Sequence, residues 1–163
     1  MIQNFDTIDH EKYMAEALKE AELAGIRGDK PIGAVIVHGG NIIARSSNRF
    51  HTLQSPVAHA ETTAIFACAP YLEQYKGECT LYTTVEPCVM CLGTIVIAGI
   101  RHIVFGVKDK FMQMDAYFTH PYIRKKVHHY VGDVLRDECV QVLQKYSPRD
   151  AEIVLTGKWC PSL

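Results

Sequence analysis

The spacing of a few metal-binding side chains constrains this chain more than any other feature. His59-Ala60-Glu61 is followed further along by Thr84-Val85-Glu86-Pro87-Cys88-Val89-Met90-Cys91. Two thiols three positions apart at the start of a helix share one face, where the macrodipole and the unpaired N–H groups favour thiolate over thiol. Pro87 just ahead of them suits a helix start. His59, in the first turn of a second helix, supplies a third ligand. Three protein ligands leave one tetrahedral position of Zn²⁺ for a water, which separates a catalytic site from a structural one. A fold for this sequence has to bring two helix N-termini to one point.

Glu61 is not on the helical stripe of His59, but first-turn side chains lean toward the N-terminus and both reach a pocket there. A carboxylate beside a zinc-bound water takes its proton and later delivers it to a substrate nitrogen. Singly these pieces mean less. Cys-x-x-Cys also serves as a redox pair or as half of a closed zinc site, and His-x-Glu alone carries almost no information. A closed site needs a fourth ligand, and the remaining thiols, Cys68, Cys79, Cys139 and Cys160, each lack a second ligand close by in sequence. Catalytic zinc is therefore expected. The remote alternative is a non-catalytic, zinc-stabilised binding module, which would have no use for Glu61.

At 163 residues, 48% of them hydrophobic, the chain has the size of one globular domain, expected over residues 1–163 with 147–163 as a C-terminal extension. A formal net charge of −1 gives no general attraction to a polyanion, although a local basic patch is compatible with it. The sequence has no run of about 18 apolar residues to span a bilayer. Its first residues also lack a basic region followed by an apolar stretch. A cytoplasmic protein without a membrane partner is expected. Six cysteines would allow three disulfides in a secreted protein, but two belong to the metal pattern and the others are scattered in apolar contexts. Reduced thiols are the simpler expectation.

Periodicity predicts a helix over 9–25, with Asp9 as N-cap and Gly25 as its stop, then a loop carrying Arg27, Asp29 and Lys30. A buried strand over 32–37 and a Gly39-Gly40 turn lead into an antiparallel strand over 41–45, and Asn48 ends it as a turn residue. After the loop 50–58, a helix is expected from His59 to Pro70, a strand over 79–84, a helix from Cys88 to about Ala98 and a strand over 102–106. Strand, helix and strand in this order make a right-handed parallel crossover, whose helix N-termini face the sheet edge where α/β proteins bind ligands.

Residues 110–122 hold Phe111, Met112, Met114, Tyr117, Phe118 and Tyr122 without a clean period, and packing on the sheet is preferred over covering a pocket. Arg124-Lys125-Lys126 and His128-His129 are the basic cluster, read as a solvated face beside a strand over 127–131. A helix over 133–146 and an edge strand over 151–156 complete the chain, and Trp159-Cys160-Pro161 is a tail without an evident purpose.

H-x-E followed by P-C-x-x-C is the pattern of zinc deaminases of nucleobases. On these residues the chain resembles the cytidine deaminase-like superfamily, in particular the branch of tRNA adenosine deaminases, bacterial guanine deaminases and fungal cytosine deaminase. The likeness covers roughly residues 10–146. It implies a three-layer α/β/α fold on a mixed sheet of about five strands, the first two antiparallel and the rest parallel, and a homodimer. It also implies zinc-dependent hydrolytic deamination, C–NH₂ to C=O with release of ammonia, with His59, Cys88 and Cys91 on the metal and Glu61 as proton shuttle. By position in the family, Asn48 hydrogen-bonds the base, the Ala60 backbone N–H contacts it, and Asp109 faces the nucleotide.

Phe105-Gly106-Val107-Lys108-Asp109-Lys110, Thr119-His120-Pro121 and Leu135-Arg136-Asp137-Glu138-Cys139 resemble tRNA adenosine deaminases most. Between the first two, the small Lys-Thr-Gly stretch of those enzymes is replaced by Phe111-Met112-Gln113-Met114. That bulky loop would narrow a site built for RNA. The sequence thus favours a small aminated heterocycle as substrate, a free base or nucleoside, and keeps tRNA adenosine-to-inosine conversion as the alternative.

Overall fold

The structure, a computed structural model, describes residues 4–159. Five strands form one mixed sheet in the order β2-β1-β3-β4-β5: β1 Gly33–His38, β2 Asn41–Ser47, β3 Thr80–Val85, β4 His102–Val107 and β5 His129–Val131. β1 is antiparallel to both β2 and β3, while β3, β4 and β5 run parallel. The turn between β1 and β2 uses Gly39 and Gly40 at φ 55° and 82°, the left-handed pair that a tight hairpin requires.

Helices cover both faces, which explains why β1, β3 and β4 are buried nearly throughout instead of alternating. On one face α1 (His10–Arg27) and α6 (Arg136–Tyr146) close a core with Val35, Tyr82, Val104 and Leu143. On the other, α2 (Ala60–Ala67) and α4 (Val89–Ile97) close a core with Ile36, Leu81, Ile95 and Ile103. This is the three-layer α/β/α arrangement expected from the sequence.

Several element bounds differ from expectation for local reasons. Asp9 caps α1 by accepting from Lys12 N at 3.1 Å, but the helix runs through Gly25 to Arg27. Gly25 is instead the place where the Tyr146 ring of α6 lies against α1, and any Cβ there would collide with it. Pro70 does not close α2. The chain breaks at Cys68, and α3 (Ala69–Gln74) starts with the proline in its first turn, where a missing N–H costs nothing. α6 begins at Arg136 because Leu135 is left-handed, φ 48°.

Two C-terminal expectations are corrected. Residues 151–156 form no edge strand: they belong to α7 (Pro148–Thr156), which packs on α6 with Ala151, Ile153 and Val154 buried. The β-branched pair in Ile153-Val154 suggested a strand, but Pro148 in the first turn and a left-handed Gly157 at the end select a helix. Residues 110–122 divide their work. Met114, in a 3-10 turn over Met114–Thr119, is buried in the core and Phe118 packs beside it, whereas Phe111 and Met112 border a cavity. α5 (Pro121–Lys126) carries Arg124, Lys125 and Lys126 in its last turn, ahead of the start of β5. Among the described residues no helix is long and apolar enough to cross a membrane. Cys160 and Pro161 lie outside the described residues.

Candidate active site

The site forms where β3 and β4 end, at the carboxyl edge of the parallel part of the sheet. His59 is the N-cap of α2 and Cys88 the N-cap of α4, both with extended backbone, and neither side chain makes a capping hydrogen bond. Both are therefore free to turn toward a ligand. Cys91, one turn into α4, is fully buried and faces the same point. The His59 Nδ1 atom lies 3.4 Å from Cys91 Sγ and 3.6 Å from Cys88 Sγ, and the three donor atoms lie within 4.8 Å of one another. Zinc bonds of ordinary length at tetrahedral angles put N and S about 3.6 Å apart, so the donor set fits Zn²⁺. Cys68, Cys79 and Cys139 are buried free thiols outside the cluster, held above the usual thiol range mainly by burial.

The electrostatics agree with a thiolate site. Hydrogen bonds from Cys91, the larger effect, and from His59 hold the Cys88 thiol down at about 4 against the cost of its burial. Cys91 is pushed up, because it donates to that sulfur and is itself buried. Interaction with Cys88 raises His59. Cys91 would have to give up its proton to ligate zinc. Glu61, in the first turn of α2, is 3% exposed and lines the same cavity, and burial raises its carboxyl.

The cavity has a volume of about 180 Å³ and is bordered by His59, Glu61 and Cys88 together with Asn48, Asp109, Phe50, Glu86 and residues of α7. The family model for the cytidine and deoxycytidylate deaminase zinc-binding region matches residues 7–107, which include all three metal donors and Glu61. This chain belongs to that family.

The deaminase is 38% identical over 140 residues to the tRNA-specific adenosine deaminase of Bacillus subtilis, covering 83% of this chain and 87% of that one. A solved structure from work on A-to-I editing by tRNA:A34 deaminases superposes with TM-score 0.73 at 36% identity, covering 81% of this chain and 99% of the other. Guanine deaminase from Bacillus subtilis matches less of the fold, TM-score 0.56 at 40% identity over 61% of this chain and 64% of that one. The tRNA-specific relatives, matched over more of both chains than the guanine deaminase, overturn the expectation of a free base or nucleoside. Phe111 and Met112 do border the cavity, each 38% exposed, with their N–H groups held by Asp109 Oδ1 at 2.9 and 3.1 Å.

The structure brings Asn48 and Asp109 of the deaminase to the cavity, but not the side chain of Ala60, which is buried behind it. Ala60 offers its backbone N–H, one of the unpaired donors at the start of α2. Asn48 Oδ1 accepts from Phe50 N at 2.9 Å, a turn-forming bond that leaves the amide NH₂ as the group able to donate at the cavity wall. Turn residue and wall residue are thus compatible roles.

Three features were missed in the sequence. Glu86 joins two strand ends: its carboxylate accepts from Asp109 N and from Tyr130 OH, both at 2.9 Å. Its place directly before Pro87-Cys88 was the available signal. Asp29 is buried and accepts from His51 N, Thr52 N, Thr52 Oγ1 and Arg27 Nε at 2.6–2.8 Å. Arg27 Nη2 in turn donates to Asn48 O at 2.7 Å, so this pair braces the loop between Asn48 and His59. Finally, α7 supplies a cavity wall with Asp150, Ile153 and Val154, and Lys30 pairs with Asp150 at 3.3 Å. No sequence signal connected these distant segments.

Proposed function

We propose that this deaminase converts adenosine to inosine in tRNA. The observation that carries the proposal is the extent of its likeness to the Bacillus subtilis tRNA-specific adenosine deaminase, which spans 87% of that protein. The open rim around Phe111 and Met112 is compatible with a base presented by an RNA loop. A base that reacts in a buried pocket must first leave its stack, and an unpaired loop nucleotide does so at least cost.

His59, Cys88 and Cys91 would hold the zinc, which supplies Lewis acidity and makes water nucleophilic near neutral pH. Glu61 takes a proton from the attacking water and delivers it to N1 of adenine. The oxygen adds at C6. Glu61 then carries a second proton to the exocyclic nitrogen, which leaves as ammonia; adenosine and water become inosine and ammonia. A single carboxylate serves both transfers because it sits in a wall that excludes bulk water. Asn48 donates to the base from its amide NH₂, the Ala60 N–H contacts it, and Asp109 faces the nucleotide. All three roles rest on the family resemblance.

The same proposal includes a cytoplasmic homodimer. The free thiols of the described cysteines suit a reducing compartment. Phe66 on α2 and Ile97 on α4 are 77% and 75% exposed on helices that pack together, apolar surface that a second copy would cover. The deciding experiment treats an anticodon stem-loop with the zinc-loaded protein and looks for inosine, with free guanine, adenine and cytosine assayed for ammonia beside it. Inosine in the RNA is expected. Turnover of a free base with untouched RNA would refute the proposal.

A further inference from the structure

We propose that the indole of Trp159 is a stacking platform for an unpaired base next to the reacting adenosine. The proposal rests on tRNA being the substrate and goes further, by assigning a residue of the tail to substrate positioning.

Trp159 borders the same cavity as His59 and Glu61, yet it is 62% exposed. A large aromatic ring is thus left in water at the mouth of the site. Its position is built by the chain around it. α7 ends at Gly157, φ 73°, whose N–H returns to Ile153 O at 2.8 Å, and a Cβ on Gly157 would stand only 2.9 Å from Lys110 O. Lys158 N then donates to Thr156 Oγ1 at 3.2 Å, and Lys110 N donates to Val154 O at 2.9 Å. These contacts fold the tail back against the loop that leaves β4, and so carry the indole to the rim.

Two neighbours define what the ring meets. Phe111 lies 5.9 Å away between centroids at 39°, and the Arg149 guanidinium lies over one side of the indole, 5.6 Å from its centroid. An aromatic ring this exposed at the mouth of the site suits a base, because every base offers a π-face to stack on it. The reacting base has to enter the cavity unstacked. Its neighbour in the strand then loses a stacking partner, and a rim indole replaces that partner without reading sequence.

The test uses zinc-loaded full-length protein and two anticodon stem-loop RNAs, each carrying 2-aminopurine on one side of the target adenosine. Stacking on an indole quenches 2-aminopurine. Wild type is expected to quench one of the two probes on binding. Trp159→Ala should lose the quenching and raise KM for the RNA about tenfold, with the loss in KM rather than kcat and with zinc content unchanged. Trp159→Phe should restore most of both. If wild type makes inosine and Trp159→Ala matches it in KM and quenching, the indole merely covers Phe111 and the inference falls alone. If wild type makes no inosine in RNA, the inference falls together with the proposed function.

Discussion

Glu61 stands two positions after a metal ligand, and its role differs from that of a ligand. It is outside the donor cluster but inside the same cavity. Glu61→Gln keeps volume and hydrogen bonding while removing basicity, so zinc content should be unchanged and kcat should drop by about 10² to 10⁴ or more. Metal analysis beside steady-state kinetics checks this, and turnover within tenfold of wild type would remove Glu61 from the proton path. Asn48 gives a second residue-scale prediction. Asn48→Ala leaves a polar edge of the bound base unpaired, so kcat/KM should fall by an amount on the order of 1 to 3 kcal/mol. The substitution also deletes the bond to Phe50 N. A melting temperature measured in parallel separates lost recognition from a loosened turn.

Among elements, the loop between β2 and α2 depends on Arg27 and Asp29. Burial alone would raise the Asp29 carboxyl, but hydrogen bonds from the Thr52 hydroxyl and N–H, from Arg27 and from His51 N more than offset it and hold it down at about 2. An aspartate below its unfolded value stabilises the fold above that value, and the stabilisation is lost as pH falls through the folded one. The expected contribution is about 2 kcal/mol at neutral pH, fading between about pH 4 and pH 2. Asp29→Asn should therefore lower stability at pH 7 and flatten the acid limb of a denaturation series. Equal slopes for the variant and wild type below pH 4 would count against this assignment. Because the brace also holds Asn48 O, a rise in KM should accompany the loss of stability.

At the scale of the molecule, the metal joins helices that the sheet holds only from one side. His59 starts α2 and Cys88 and Cys91 start α4, so zinc closes a link between two elements of the same layer. A ligand bound only by the folded state adds its binding free energy to stability. Stripping zinc with a chelator should lower the melting temperature, and zinc, but not Mg²⁺, should restore it. An unchanged melting curve after verified metal loss would mean that the layer is held by apolar packing alone.

The sequence by itself placed the metal donors and Glu61 at helix starts and gave the order α1, β1, β2, α2, β3, α4, β4, because ligand spacing, capping and periodicity are local and each fixes a short segment. It also placed Asn48 at a strand end. It misplaced α7 because a β-branched run of two residues weighs little against Pro148 and Gly157 once α6 offers a surface to pack on. Only the tertiary structure decided which distant groups share the cavity. Asp29 and His51, Glu86 and Tyr130, Lys30 and Asp150, and Trp159 beside Phe111 are brought together by chain crossings that leave no periodic trace. The effect of the Phe111-Met112 replacement was decided there as well. Phe111 and Met112 border the cavity from a turn whose N–H groups Asp109 holds, an arrangement that bulk in a sequence does not disclose.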